Sequence, residues 1–213
     1  MNLIFRYVIP IIFMVVVLIT SPGGAIAQTR PLYFGIFGGY TIPQDMTWQS
    51  KTSDDSLDLS VDNTGMIGFK LGYILPQARM LALEGEYYHI FEHNYGPAET
   101  SDVREVGDLY LDNFFFNLLL RYPKGRIHPY GGAGIGFSYF EINNLETFRG
   151  MTFEEIENDT AFGWQILGGL NFDIAPNISA DLTYRYFGTD PHLSFVDVEY
   201  RTSIISAGIN YHF

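Results

Sequence analysis

The chain has 213 residues, with 24 acidic and 12 basic side chains, a net charge of −12 and no cysteine. Its length predicts a single domain, and so acidic a chain carries no electrostatic footprint for nucleic acid. The lack of cysteine excludes disulfides, cysteine–zinc sites, attached c-type haem, a cysteine nucleophile and acylation as a lipoprotein. Hydrophobic residues make up 47% and aromatic ones 16%, with 22 glycines and only 17% charged residues. That mix suits many strands with one face toward lipid and small residues making room on the other.

The N-terminus places Arg6 before an apolar run, Tyr7–Ile19, and a small-x-small site, Ala25-Ile26-Ala27. This predicts a secretory signal peptide over residues 1–27, cut before Gln28 and leaving 28–213 as the working domain. The run is shorter than the ~20 apolar residues of a helical span and ends in Ser21-Pro22-Gly23-Gly24. No later segment reaches ~18 uninterrupted apolar residues, so any later membrane crossing must be made by strands.

Eight segments then alternate with the two-residue period of a strand. The first, about Leu32–Thr41, sets Leu32, Phe34, Ile36, Gly38 and Tyr40 against Tyr33, Gly35, Phe37 and Gly39, with little contrast in polarity. The second, about Gly65–Leu75, turns Ile67, Phe69, Leu71 and Tyr73 outward and Gly68, Lys70 and Gly72 inward. The third, about Met80–Ile90, has Leu81, Leu83, Gly85 and Tyr87 out, and Ala82, Glu84, Glu86 and Tyr88 in. The fourth, about Tyr110–Tyr122, has Phe114, Phe116, Leu118, Leu120 and Tyr122 out, and Asn113, Phe115, Asn117, Leu119 and Arg121 in.

In the fifth, about His128–Glu141, Ala133, Ile135, Phe137 and Tyr139 oppose Tyr130, Gly132, Gly134, Gly136 and Ser138. The sixth, about Ala161–Ile174, opposes Phe162, Trp164, Ile166, Leu170 and Phe172 to Gln165, Gly169, Asn171 and Asp173. The seventh, about Ser179–Phe187, opposes Ala180, Leu182, Tyr184 and Tyr186 to Asp181, Thr183 and Arg185. The last closes the chain: Ile205, Ala207, Ile209 and Tyr211 share one face, and Thr202, Ile204, Ser206, Gly208, Asn210 and His212 the other.

Short turns rich in breaker residues alternate with long links. Pro76–Arg79, Pro123–Arg126 and Ala175–Asn177 are tight, whereas about Ile42–Thr64, Phe91–Leu109, Ile142–Thr160 and Gly188–Val198 are long. Each strand suffices for a tilted crossing, which needs ~9–11 residues. Lipid offers no partner for a free sheet edge, so such strands must close on themselves. The expected fold is all-β: an eight-stranded antiparallel up-and-down transmembrane β-barrel, with short periplasmic turns and long extracellular loops.

The terminal pattern Ser206-x-Gly208-x-x-Tyr211-x-Phe213 resembles the C-terminal assembly signal of bacterial outer-membrane barrels. Together with HPYGGAGIGFSY (His128–Tyr139) and Gly163–Asp190, it makes the chain resemble the small barrels of the OmpA-like, opacity-protein and surface-antigen superfamily. The resemblance covers essentially all of residues 28–213. It implies an outer-membrane location in a Gram-negative bacterium, and a structural or surface-interaction role without catalysis or cofactor. The expected partners are outer-membrane lipid, lipopolysaccharide and the barrel-assembly machinery. OmpA itself carries a peptidoglycan-binding domain after its barrel; this sequence ends at Phe213, so that anchoring role is not expected here.

Several features invite sharper readings. Lys70, Glu84, Glu86, Arg121, Asp173, Asp181 and Arg185 are charges on inward positions, which survive burial only when paired. Lys70 and Glu84 sit at similar distances from their turn and are expected to face each other, with Arg185 joining Glu84 or Glu86. The resulting lumen network of Lys70, Glu84, Glu86, Arg121 and Arg185 is expected to plug the barrel, the alternative being a gate in a narrow porin-like channel. Gly131–Gly136 is no nucleotide loop, because no helix follows and its alternate glycines point inward, making room for long side chains. The acids Asp45, Asp54, Asp55, Asp58 and Asp62, and Glu146, Glu154, Glu155, Glu157 and Asp159, match no EF-hand spacing and read as solvated loops. A third reading comes from outer-membrane barrels that deacylate lipid A with a His-x-Ser pair and a nearby Glu. His192-Leu193-Ser194 and Glu199 fit in outline, but the Asn that follows the Ser in those enzymes is Phe195 here.

Overall fold

A strand that carries apolar residues on one face and small or polar ones on the other satisfies lipid outside and a packed interior inside, and this chain repeats that solution around a ring. The structure, a computed structural model, describes residues 30–44, 46–50, 56–97, 106–148, 151–191 and 196–213. The expected leader, residues 1–27, lies outside the described residues, as do Asp45, Asp54, Asp55 and His192–Phe195. The strands are β1 (Leu32–Pro43), β2 (Met46–Ser50), β3 (Ser56–Val61), β4 (Thr64–Ile74) and β5 (Leu81–Pro97). There follow β6 (Val106–Arg121), β7 (Ile127–Phe148), β8 (Met151–Ala175), β9 (Ile178–Thr189) and β10 (Val196–His212).

All pairings are antiparallel, and β1 closes the ring by pairing with β10 from Tyr33↔His212 to Pro43↔Thr202. The barrel has eight staves although ten strands are counted. The β2–β3 hairpin, with Met46↔Leu59 and Gln49↔Ser56, continues the β1–β4 hairpin without a change of register. Beside β10, the β1–β2 stave holds one residue more between Pro43 and Thr47 than its neighbour does between Glu199 and Thr202. The register along β10 therefore steps by one residue between these two pairings.

The outward and inward sets follow the alternation of the sequence. In β1, where polarity contrast is weakest, Ile36 is 59% exposed and Phe37 only 4%, so the Phe34–Ile36–Tyr40 face is the outer one. Phe116, Leu118, Leu120, Ile135, Phe137, Phe162, Ile166, Leu182, Ile205 and Ile209 continue that apolar belt. Of the short turns, Pro123–Arg126 needs a left-handed residue and has it in Gly125, at φ 85°.

The links expected to be loops are largely strand. β7 runs for 22 residues and β8 for 25, paired to Phe148↔Met151, far beyond the ~9–11 residues a crossing needs. In sequence, residues 142–157 lack the in/out contrast that marks a membrane-crossing strand, while the backbone ladder of β7 and β8 continues.

Candidate functional site

The inward side chains build a lumen in three levels. The lowest is an open cup of about 690 Å³ at the short-turn end, with Arg121, His128, Asp173 and His212 among its lining residues. Above it lies a layer of buried charges. Lys70 Nζ donates to Asp181 Oδ2 at 3.0 Å, and Asp181 also accepts from Asn210 Nδ2 at 2.7 Å and Thr183 Oγ1 at 3.1 Å. Arg185 Nη1 donates to Glu86 Oε1 at 3.1 Å, and both side chains are 1–2% exposed. The Arg185 guanidinium lies 4.9 Å from the Phe37 ring centre and 5.1 Å from that of Tyr88, so its remaining donor edge is covered by aromatic faces.

Glu84 completes this layer with neutral donors: Tyr33 Oη at 2.6 Å and Asn117 Nδ2 at 3.4 Å. Gln165 ties the halves together. Its Nε2 donates to Asn117 Oδ1 at 2.7 Å and to Glu86 Oε1, and its Oε1 accepts from Tyr88 Oη at 3.4 Å. A smaller cavity of about 40 Å³, lined by Tyr33, Lys70, Glu84 and Asp181 and, toward the cup, by Arg121 and His212, lies beneath this layer.

The third level is apolar. Phe37, Met66, Tyr88, Ile90, Leu109, Leu111, Phe115, Phe140, Phe187, Tyr200 and Ile204 form one buried cluster. Tyr88 stacks on Phe115 at 6.0 Å, and Phe187 meets Phe115 edge-on at 5.6 Å, geometries that favour aromatic pairs beyond simple burial. No cluster of three or more His, Asp or Glu side chains among the described residues is arranged to hold a metal ion.

Two expectations about the charges change. Lys70 stands opposite Glu86 in the ladder, and Glu84 stands opposite Gly72. The connection from Leu75 to Leu81, closed by the Leu75 N–H to Leu81 carbonyl bond, shifts the register from the one assumed. The Lys70 ammonium therefore reaches past its hairpin neighbours to Asp181 on β9. Arg121 stands apart from the layer, half-buried in the cup as the last residue of β6, and Asp173 sits at the rim against His128 Nε2 at 3.0 Å. Arg185 does meet Glu86.

Three inward glycines of β7 make room for the next strand rather than for side chains across the lumen, whereas Gly163 on β8 gives way to the Phe115 ring of β6. Gly132, Gly134 and Gly136 pair directly with Leu119, Asn117 and Phe115, and a Cβ on any of them would collide with the β6 backbone or those side chains. At the chain end, Tyr211 and Phe213 face outward with ring centres 5.1 Å apart, while Ser206 is buried and Gly208 faces inward against Phe37. Alternation alone does not reveal the apolar level, although it turns Phe37, Tyr88, Phe115 and Ile204 to the same side as the polar lumen residues. The available signal was that inward positions turn apolar at the far ends of β5, β6, β7 and β10.

The model of the outer membrane protein β-barrel domain matches residues 11–213. The chain belongs to that family. It is accordingly an outer-membrane β-barrel protein of a Gram-negative bacterium, and the apolar belt is its lipid-facing surface. Solved barrels share the fold at low identity. The chain is similar to Neisserial surface protein A, with 17% identity, a TM-score of 0.53, and 85% of this chain and 97% of that one covered. It is also similar to OprG from Pseudomonas aeruginosa, with 15% identity, a TM-score of 0.59 and coverage of 85% and 96%. AlkL, solved in DMPC bilayers, has 17% identity, a TM-score of 0.55 and coverage of 91% and 95%. No curated protein matches the sequence.

Proposed function

We propose that this outer-membrane barrel serves a structural or surface-interaction role, is non-catalytic and does not conduct solutes. The observation that carries the reading is the stack of a hydrogen-bonded charge layer beneath an aromatic cluster, which together fill the lumen. Eight staves enclose an interior that side chains largely fill. Lys70, Glu84, Glu86 and Arg185 act as the lower part of the plug, with Asp181 as the partner of Lys70. Ser206, Gly208, Tyr211 and Phe213 act as the assembly signal, and the outer surface deals with lipid and lipopolysaccharide.

The test is single-channel recording on the purified protein in planar bilayers. Silence is the expected outcome. Steps of uniform size would overturn the reading and install a narrow channel for small solutes. Replacing both Phe115 and Phe187 by alanine removes two rings from the aromatic cluster, and is expected to turn silence into measurable leak.

A further inference from the structure

The protein is acidic as a whole, yet its periplasmic end is basic. Arg30, Arg79, Arg121 and Arg126 line the open cup of about 690 Å³, with Lys124 in the adjoining turn, and Asp173 is the one carboxylate in the lining. Asp173 is already bonded to His128 at 3.0 Å. The side chains of Arg79, Arg121 and Arg126 make no ion pair or hydrogen bond among the described residues. Among the described residues, Arg30 reaches the His212 carbonyl, at 3.5 Å. Asp173 acts on the Arg121 charge more strongly than Arg79 does, and leaves exposed Arg79 and Arg126 without a carboxylate partner among the described residues.

Like charges gathered in a cup with low-dielectric walls repel, and such walls focus the field toward any ligand of opposite sign. Guanidinium groups present forked donors that match phosphate and carboxylate. The volume falls in the range of small-ligand sites, roughly 300–1,000 Å³.

We propose that this cup binds a multiply charged oxyanion of the phosphate or carboxylate class, entering along the barrel axis from the periplasm. Arg121, half-buried and inward-facing at the end of β6, forms the floor of the site. Arg79 and Arg126, on two different turns, and Arg30 form its rim. A free anion and the head group of an anionic phospholipid share this chemistry.

The experiment takes protein extracted from outer membranes into phosphatidylcholine nanodiscs and titrates inorganic pyrophosphate by calorimetry at about 0.15 M salt, where exposed charges are screened beyond ~8 Å. One saturable site per barrel is expected. Arg121→Gln, and the pair Arg79→Gln with Arg126→Gln, should each weaken it roughly ten-fold or more. Glu92→Gln, on the extracellular side, should leave it unchanged, and circular dichroism should show the same strand content in every variant. In phosphatidylglycerol nanodiscs, loss of the isotherm identifies a lipid head group as the occupant, and an unchanged isotherm identifies a soluble anion. No saturable binding in phosphatidylcholine, or arginine variants indistinguishable from the wild type, would overturn the proposal.

Discussion

Arg185→Met removes the cation at the centre of the lumen while keeping a flexible apolar stem against Phe37 and Tyr88. The guanidinium is 2% exposed and is held by Glu86 at 3.1 Å and by two aromatic faces. Its loss strands a buried carboxylate, for which about 3–5 kcal/mol is expected. The two desolvated cation–π contacts add up to ~2 kcal/mol, and the methionine thioether against the same rings returns ~1 kcal/mol. A net loss of about 4 kcal/mol follows. Adding Glu86→Gln removes the stranded charge and keeps an acceptor for Gln165, so the double variant should recover to within ~2 kcal/mol of the wild type. The coupling between the sites should therefore exceed ~2 kcal/mol. Reversible urea unfolding in phospholipid vesicles, followed by tryptophan fluorescence, measures all four corners of the cycle. A loss below ~1 kcal/mol for Arg185→Met alone, or a double variant as unstable as the sum of the singles, would refute the assignment of this pair as a tightly desolvated one.

Gly136→Ala should destabilise the barrel by about 1–3 kcal/mol, because its Cβ would meet the Phe114 carbonyl and the Phe115 Cα, which cannot yield. Gly85→Ala, whose Cβ would find only the Phe116 ring at 3.8 Å, should stay within ~1 kcal/mol of the wild type in the same assay. Deleting Phe213 removes one exposed ring, worth at most ~1.5–3 kcal/mol; refolding into detergent should survive while outer-membrane levels in cells fall sharply. Equal levels in cells would sink the assembly-signal reading. His192→Ala and Ser194→Ala should leave the host's lipid A pattern unchanged by mass spectrometry, and an acyl chain retained only in the variants would establish the hydrolase instead.

The barrel was legible because lipid imposes a rule that sequence records one residue at a time. Leu83 against Glu84, Phe116 against Asn117 and Leu182 against Asp181 each declare a face, and the tight turns at Pro76, Pro123 and Pro176 count the staves. Even the weak first strand obeyed the parity set by Phe34 and Ile36. Beyond the apolar belt the alternation of residue types fades, and the extension of β7 and β8 to Phe148 and Met151 could not be told from loop.

What faces what across the lumen was decided by tertiary structure. Alternation states that Lys70, Glu84 and Arg185 point inward, but not their depth or partner. The register of one turn sent Lys70 to Asp181, over a hundred residues away, and left Glu84 to Tyr33 and Asn117. Only the closed ring brings Tyr88, Phe115 and Phe187, from three different staves, into one aromatic cluster. It likewise gathers four arginines from separate turns and strand ends into a single cup. Local period follows from each strand's own environment, whereas depth and partner depend on stagger accumulated around the whole barrel.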